Sequence, residues 1–243
     1  MGQRFLSEAE AIEYKQILAS YHPNGKVVFD FAKSRFGTLD GPTGAGKDTL
    51  RSKLLADFPD LYSIVLSTTS RPLREGEADG VQYHFRDLDF MQSGLDERRF
   101  LQAELLHMQQ ISGLDFGDIE ALDPKHFGVA IMNVEAVKKL RKLNPDMKTV
   151  FVVPPSYEEL MRRLDATRSM KLDEVNRRLS AATQELETAL QDEAYYLITN
   201  DDLDRAIKLI HEYYQIGQVD NAEEQRTKEV IQKLLNALSN RSV

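Results

Sequence analysis

The spacing of apolar residues predicts a helix near the start of the chain. Ser7 and Glu10 form a capping box, and the apolar residues that follow recur at helical spacing, so we expect a helix over residues 7–20. These apolar residues are Ile12, Ile17 and Leu18. After a turn at residues 22–25, the apolar run 27–31 indicates a strand. The chain is therefore expected to open with a helix and a strand.

Further short apolar runs alternate with helix-length segments along the rest of the chain. The runs lie at residues 36–39, 64–66, 129–134, 150–153 and 195–199. This alternation predicts an α/β fold, with a parallel sheet of five strands and helices on both faces. Pro154, Pro155 and Ser156 end one strand and, with Glu159, cap the helix that follows. A last amphipathic helix is expected beyond Gly217.

A glycine-rich loop stands between the first of these runs and the next helical pattern. Its residues match the G-x-x-x-x-G-K core of a Walker A loop, and they are Gly41, Pro42, Thr43, Gly44, Ala45, Gly46 and Lys47. Glycines let backbone amides converge on phosphate oxygens at a helix N-terminus, and Lys47 supplies a mobile positive charge. A glycine-rich turn without a ligand is the alternative, but the strand–loop–helix order favours nucleotide binding.

The position after Lys47 departs from the usual loop. Asp48 stands where a Ser or Thr hydroxyl normally reaches Mg²⁺, and Thr49 follows it. A carboxylate is also a hard oxygen ligand, so we expect Asp48 to bind Mg²⁺. The added negative charge predicts weaker nucleotide binding when no Mg²⁺ compensates it.

Composition narrows the class of protein. The 243 residues carry a net charge of -8 and no run rich in Lys and Arg, which argues against long nucleic acids as partners. The absence of Cys excludes disulfides and thiolate chemistry and suits a reducing compartment, so the cytoplasm is the expected location. No stretch approaches the roughly eighteen apolar residues of a membrane span, so we expect neither secretion nor membrane insertion.

One downstream stretch carries a specific resemblance. Residues 67–85 read STTSRPLREGEADGVQYHF, and together with the glycine-rich loop they resemble the guanylate kinase family. The similarity continues at residues 153–156, 177–179 and 199–203. It covers about residues 36–214 and leaves out both ends. The resemblance implies a P-loop kinase fold that uses ATP and Mg²⁺ to phosphorylate a nucleoside monophosphate, with GMP as the default acceptor.

By this resemblance, Arg71, Arg74 and Tyr83 would hold the phosphate of the acceptor, and Ser67 would approach its base. The chemistry is also sound without the resemblance. Two guanidiniums three residues apart in a non-helical stretch can bind one phosphate dianion, and a Tyr hydroxyl adds a neutral donor. The alternative is a solvated loop with two ordinary arginines, in which Tyr83 and Phe85 are core residues of a strand.

The resemblance also places side chains around ATP. Arg163, Arg168 and Arg178 stand where the family has the lid and helix arginines that neutralise the transferred phosphoryl group, and Asn200 stands near the adenine. Phosphoryl transfer needs positioning and charge stabilisation more than a nucleophilic side chain, so these arginines and Lys47 are the expected catalytic groups. A helix-surface role for Arg163 and Arg178 and a capping role for Asn200 are the alternatives.

The base-reading side departs from the family. An alignment anchored at residues 111–117 puts His107 at the Glu that accepts hydrogen bonds from guanine, and Asp118 at a base-contacting Ser. An alignment anchored at Phe100 puts Gln102 at the Glu position instead. We hypothesise that Asp118 accepts the guanine protons. The alternative for His107 is a histidine on a helix face.

These observations define an expected organisation. An N-terminal extension with a helix and a strand covers residues 1–35, and a guanylate-kinase-like domain covers 36–214. Within that domain, an acceptor lobe lies near 67–118 and a lid near 165–175. A C-terminal amphipathic helix covers 215–243. The terminal helices are either packing elements or a homodimer interface.

Two other functions stay open at this point. A kinase for another small phosphate ester, such as a modified nucleotide or ribose 1,5-bisphosphate, is one, because the branch that uses that sugar also resembles this chain in Lys47-Asp48. A non-catalytic guanylate-kinase-like binding module is the other. It would explain the changed base readers but would have no need of Lys47. Small-molecule nucleotides are the expected partners.

Overall fold

The computed structural model describes residues 3–167 and 172–240. Its strands are β1 (Phe36–Asp40), β2 (Tyr62–Val65), β3 (Thr68–Thr69), β4 (His84–Phe85), β5 (Phe100–Leu106), β6 (Gln110–Asp115), β7 (Phe127–Ile131), β8 (Lys148–Val153) and β9 (Tyr196–Thr199). Its helices are α1 (Glu8–Ala19), α2 (Gly25–Phe31), α3 (Lys47–Asp57), α4 (Leu88–Asp96), α5 (Phe116–Glu120), α6 (Val134–Leu143), α7 (Tyr157–Thr167), α8 (Leu172–Gln191), α9 (Leu203–Ile216) and α10 (Asn221–Ser239). Within these ranges, no helix has the length and apolar character needed to span a bilayer.

A parallel sheet of five strands has the order β2-β7-β1-β8-β9. β8 pairs in parallel with β1 on one side, where Gly37 lies opposite Lys148, and with β9 on the other, where Val150 lies opposite Tyr196. β1 and β9 are buried along their whole length. Continuous burial is typical of parallel strands that are covered on both faces. The predicted α/β fold with a five-stranded parallel core is confirmed.

A second sheet has the order β4-β3-β6-β5. β5 and β6 form an antiparallel hairpin that closes with Leu106 opposite Gln110. β3 pairs with β6 antiparallel and with β4 in parallel, so Thr68 lies between Gly113 and His84. This sheet falls within the residues predicted to form the acceptor lobe.

The chain folds into two compact units. The first unit holds residues 1–35, 63–130 and 138–147, and the second holds residues 36–62, 131–137 and 148–243. The four-stranded sheet belongs to the first unit, while the glycine-rich loop and α8 to α10 belong to the second. The domain bounds given above from the sequence stay predictions.

The strand predicted over residues 27–31 is wrong, because these residues form helix α2. The side chain of Asn24 accepts a hydrogen bond from the amide of Val27 at 2.9 Å, which caps the helix. Val27 and Phe31 are buried four residues apart, while Phe29 between them is 60% exposed. An N-cap and a helical burial period therefore override the strand preference of Val and Phe.

The predicted helix near the N-terminus is present as α1, with the capping box in place. The amide of Ser7 donates to Glu10 at 2.8 Å, and the amide of Glu10 donates to the Ser7 hydroxyl at 3.4 Å. Its buried side chains are Ala11 and Tyr14, whereas Ile12 is 51% exposed. The helix was therefore predicted correctly, and Ile17 and Leu18 pack against the core as their spacing indicated, whereas Ile12 faces solvent.

The end of the strand predicted over residues 129–134 is also different. β7 ends at Ile131, and α6 begins at Val134. The side chain of Asn133 accepts a hydrogen bond from the amide of Ala136 at 2.8 Å, so it satisfies a donor in the first turn of α6. Val134, an apolar residue in the first turn of α6, was thus misread as the end of a strand.

The C-terminal helix is present as α10 and packs within the second unit. Ile231, Leu234 and Leu238 are buried, and the helix contacts β9 and α8. Its apolar face is therefore covered by its own chain, as expected of a packing element. The homodimer stays a prediction.

Candidate functional site

The glycine-rich loop connects the end of β1 to the start of α3 in the second unit. Gly41 has φ 131° and Gly46 has φ 92°, backbone angles that L side chains rarely adopt. A Cβ at Gly41 would overlap the carbonyl oxygen of Val152, and a Cβ at Gly46 would overlap the side chain of Asn200. The loop therefore requires glycine at both positions. It leads directly into the N-terminus of α3, as the motif predicts.

Lys47 is the first residue of α3, and its side chain lies over the loop. Its ammonium donates hydrogen bonds to the carbonyl oxygens of Gly41 and of Pro42, the latter at 3.0 Å. Burial lowers the pKa of Lys47, and the negative charges of Asp40, Glu185 and Asp48 act in the opposite direction. A partly desolvated cation at a helix N-terminus is well suited to bind phosphate oxygens.

Asp40 fixes the end of β1 where the loop begins. Its side chain is fully buried, and one oxygen accepts the amide of Gly41 at 2.5 Å. The other oxygen accepts the hydroxyl of Tyr195 at 2.6 Å. This pair of hydrogen bonds holds the loop entrance in one position.

Arg163 and Asn200 hold the far side of the loop. The side-chain Nδ2 of Asn200 donates to the backbone carbonyl of Ala45 at 2.8 Å, and Arg163 donates to the same carbonyl at 3.1 Å. Arg163 also donates to the backbone oxygen of Asn200 at 3.0 Å and to Glu159 at 2.6 Å. The structure thus brings three predicted site elements together: the loop, Arg163 and the turn at Asn200.

The remaining ATP-side residues are more exposed. Asp48 and Thr49 lie in the first turn of α3 with exposed side chains, and Asp48 pairs with Arg51 at 3.3 Å. Arg178 lies on α8 and pairs with Glu174 at 2.7 Å. Among the described side chains, no three His, Asp or Glu residues cluster as a ready-made metal site.

The predicted lid is described only in part. Residues 168–171 fall outside the described residues, and so does Arg168. Of the predicted lid at 165–175, the backbone of α7 is described up to Thr167 and that of α8 from Leu172. The lid and the role of Arg168 stay predictions.

Glu185 is a charged residue near the loop that sequence reasoning missed. It interacts electrostatically with Lys47 and Asp40. Burial and the charge of Asp40 raise its pKa to about 7, while Lys47 acts to lower it. The signal in the sequence was its place on the buried face of α8, where Ala182, Leu186 and Ala189 are its apolar neighbours at helical spacing.

A second group of predicted residues lies in the first unit. The guanidinium of Arg71 is buried and binds both carboxylate oxygens of Glu77, at 2.6 and 2.7 Å. It also lies over the rings of Tyr83 and Phe85, 5.2 and 5.1 Å from their centroids. The structure therefore brings Arg71 and Tyr83 together, and Phe85 is buried beside them.

Glu77 organises this group and was not singled out from the sequence. Besides holding Arg71, it accepts the backbone amide of Arg74 at 2.8 Å. The hydrogen bonds from Arg71 lower the pKa of Glu77 to about 2, so the carboxylate is ionised at neutral pH. The side chain of Arg74 is exposed, and the backbone oxygen of Ser67 accepts the amide of His84 at 2.9 Å. The signal in the sequence was a Glu six residues after Arg71 and three residues after Arg74.

Asp118 lies on α5 with one oxygen buried. Its Oδ1 lies 3.4 Å from Nε2 of His84, whereas its buried Oδ2 has no hydrogen-bond partner among the described residues. Burial raises the pKa of Asp118 and Asp115 adds to this, while His84, Arg86 and Arg99 act to lower it. An unpaired buried acceptor costs free energy unless a ligand donates to it.

His107 and Gln102 occupy very different places. His107 is exposed in the turn between β5 and β6, with φ 53°, so the alternative of a helix-face histidine is wrong. The turn forms because the two strands pair on either side of it. Gln102 is buried in β5, and its Oε1 has no hydrogen-bond partner among the described residues. Both alignments, and the base-contacting role that each gives to its residue, stay predictions.

The parallel sheet and the loop that joins β1 to α3 define a nucleotide-binding P-loop protein of the kinase type. The family model described as "Guanylate kinase" matches residues 33–216. The guanylate kinase of Corynebacterium jeikeium is 34% identical over 185 residues, which span 75% of this chain and 97% of that protein. The guanylate kinase of Gluconobacter oxydans is 38% identical over 176 residues, which span 70% and 80%.

A solved structure shows the same fold. The guanylate kinase of Anaplasma phagocytophilum aligns with a TM-score of 0.55 at 19% identity, over 77% of this chain and 87% of that one. The chain belongs to the guanylate kinase family.

Proposed function

We propose that the protein transfers the γ-phosphoryl group of ATP to GMP, with ADP and GDP as products. The observation that carries this proposal is the arrangement at the phosphate loop, where the Lys47 ammonium lies over a glycine loop at a helix N-terminus in a member of the guanylate kinase family. The relatives reported above are themselves named guanylate kinases. The chain matches nearly the full length of the Corynebacterium protein, which supports a shared activity.

On the ATP side, the loop amides and Lys47 would bind the β- and γ-phosphates, and Asn200 would lie near the adenine. Arg163, Arg168 and Arg178 would neutralise the charge of the transferred group. Arg163 has a second role that its hydrogen bonds support, because it ties Ala45 of the loop to the turn at Asn200.

Mg²⁺ fits this site through Asp48. The carboxylate is exposed in the first turn of α3, directly after Lys47, and a single carboxylate with substrate phosphates is a common Mg²⁺ environment. When bound, the ion would neutralise phosphate charge and orient the γ-phosphoryl group. Asp48 would hold the ion, and Thr49 would lie beside it.

On the acceptor side, Arg71, Arg74 and Tyr83 would bind the phosphate of GMP. Glu77 now holds the Arg71 fork, so binding requires the phosphate to share or replace that carboxylate. Ser67 and Asp118 would contact the base. The unpaired Oδ2 of Asp118 is the acceptor that guanine N–H groups require. His107 lies in an exposed turn, and its contact with the base stays a prediction from the alignment.

The two other functions have less support. A sugar-phosphate kinase has no counterpart among the relatives reported above, and a non-catalytic module would not need the Lys47 contacts. The cytoplasmic location and a homodimer through the terminal helices stay predictions from the sequence.

ADP production from Mg-ATP tests the proposal. The acceptors are GMP, dGMP, AMP, CMP, UMP and ribose 1,5-bisphosphate, each compared with a blank that lacks acceptor. We expect GMP to give the highest kcat/KM. A higher value with ribose 1,5-bisphosphate would favour the sugar-phosphate kinase, and ADP production no faster than the blank with every acceptor would contradict the proposal.

A further inference from the structure

Helix α10 begins at Asn221, beyond the last residue of the family match at 216. It nevertheless contacts β9, the strand that leads to Asn200. Asp220 caps the helix by accepting the amides of Ala222 and Glu223. The capped first turn brings Glu223 inward, where its side chain is only 4% exposed. A buried carboxylate in a helix that the family model does not cover calls for a physical reason.

Glu223 and Thr227 bind the end of β9. One oxygen of Glu223 accepts the backbone amide of Thr199 at 3.0 Å. The hydroxyl of Thr227 lies 2.8 Å from the hydroxyl of Thr199 and donates to Glu223 at 3.1 Å. Thr199 and Thr227 are both fully buried. The residue before Asn200 is thus fixed from α10 through both its backbone and its side chain.

The residue after Asn200 is fixed by the same helix. Arg226 of α10 binds Asp201 at 2.7 Å and Glu223 at 2.9 Å. Arg205 of α9 also binds both carboxylates. Two carboxylates and two guanidiniums therefore form a closed network. Burial acts to raise the pKa of Asp201, but Arg226 and Arg205 lower it to about 2, so the network is ionised at neutral pH.

Asn200 stands between these two fixed residues and contacts the loop. Its side chain donates to Ala45 at 2.8 Å, and its backbone oxygen accepts Arg163 at 3.0 Å. We infer that α10 is a positioning element for ATP, which acts through Glu223 and Arg226 on the turn 199–201 and through Asn200 on the phosphate loop. This inference rests on the proposed function only in naming ATP as the ligand. The ionic network holds the turn through Glu223, the one buried member, which binds both guanidiniums and the amide of Thr199. Removing its charge therefore loosens the contacts on both sides of Asn200.

The test compares Glu223→Gln with Glu224→Gln in the full chain. Both substitutions remove one carboxylate from the same helical turn. Glu223 binds Thr199 and two arginines, whereas Glu224 pairs with Lys228 of its own helix at 2.7 Å. We expect Glu223→Gln to raise the KM for ATP and the Kd for Mg-ATP by roughly 3- to 10-fold while the KM for GMP is unchanged. Glu224→Gln should change none of the three.

Thr227→Val keeps every charge and the shape of the side chain, so it serves if Glu223→Gln folds poorly. We expect it to raise the same two constants by roughly 2-fold or more. Unchanged Mg-ATP affinity in both Glu223→Gln and Thr227→Val would overturn the inference, as would equal rises in the constants for ATP and GMP. If the wild type binds Mg-ATP but does not phosphorylate GMP, the proposed function fails, and the shift in Kd still tests the role of α10.

Discussion

Single residues of the phosphate loop depend on backbone geometry that only glycine adopts at low cost. Gly41 combines φ 131° with a backbone oxygen of Val152 in the space that a Cβ would need. We expect Gly41→Ala to lower the free energy of unfolding by about 2–4 kcal/mol and to abolish Mg-ATP binding. Urea unfolding and calorimetric titration check this.

The matched control for Gly41→Ala is Gly25→Ala. A Cβ at Gly25 would meet no atom within 4 Å, and the residue begins helix α2. This variant should bind Mg-ATP like the wild type and keep or slightly gain stability. Normal Mg-ATP affinity in Gly41→Ala would show that the loop does not need its present geometry.

The half-buried Glu185 predicts a pH dependence of stability. Its pKa is raised from 4.5 to about 7, so the folded state favours the protonated carboxyl. Its contribution is therefore full below about pH 4.5 and is lost as the pH rises through about 7. Between pH 5 and pH 8, the free energy of unfolding of the wild type should therefore fall by roughly 1–3 kcal/mol more than that of Glu185→Gln.

Urea unfolding of both proteins at pH 5 and pH 8 measures this difference. Glu187→Gln, on the exposed side of the same helix, is the control and should follow the wild type. If Glu185→Gln loses as much stability as the wild type between the two pH values, Glu185 does not titrate in this range.

The unpaired oxygen of Asp118 predicts base selectivity. In Asp118→Asn, an NH2 group replaces one of the two carboxylate oxygens, so guanine N–H groups would face a donor in place of an acceptor. We expect the ratio of kcat/KM for GMP to that for AMP to fall roughly 10- to 100-fold. Glu120→Gln, an exposed substitution on the same helix, should leave the ratio unchanged. Full selectivity in Asp118→Asn would contradict the assignment of Asp118 to the base.

At the residue scale, the sequence predicts those site residues that belong to one continuous motif. The loop from Gly41 to Lys47 could be placed because its chemistry lies in consecutive residues. Glu185 and Glu223 could not, because their partners lie far along the chain and come close only on folding. Glu223, for example, meets Thr199 from 24 residues away. Glu77 lies within six residues of both its partners, and it was overlooked because it is not part of a known motif.

Elements were predicted well where periodicity and capping agree and poorly where they conflict. The capping box of Ser7 gave α1, whereas the apolar run 27–31 suggested a strand although Asn24 caps a helix there. The run is short, and short apolar runs fit either structure. The side chain of Asn24 decides the outcome, since it accepts the amide of Val27.

The cap of α2 can be tested directly. We expect Asn24→Ala to destabilise the protein by about 1 kcal/mol, because the amide of Val27 loses its acceptor. Asn24→Asp keeps a side-chain oxygen at the same place and should retain most of the stability. Thermal unfolding compares the two, and equal losses in both variants would show that the cap is not the cause.

For the whole molecule, alternation of strands and helices predicted the parallel sheet, because each strand in such a sheet is buried on both faces. The strand order β2-β7-β1-β8-β9 could not be predicted, since it depends on pairings between strands distant in sequence. The division into two compact units that are each discontinuous in sequence was likewise not predicted. Long-range contacts, rather than local preferences, decide these features.

The most direct test of the account is GMP-dependent ADP production by the wild type, Lys47→Ala and Lys53→Ala. Both variants remove one lysine from α3, but Lys53 pairs with Asp57 and Asp204 away from the loop, whereas Lys47 lies over it. We predict that kcat/KM falls roughly 100-fold or more in Lys47→Ala and stays within about 2-fold in Lys53→Ala. Turnover of GMP by Lys47→Ala at the rate of the wild type would contradict a phosphoryl transfer centred on this loop.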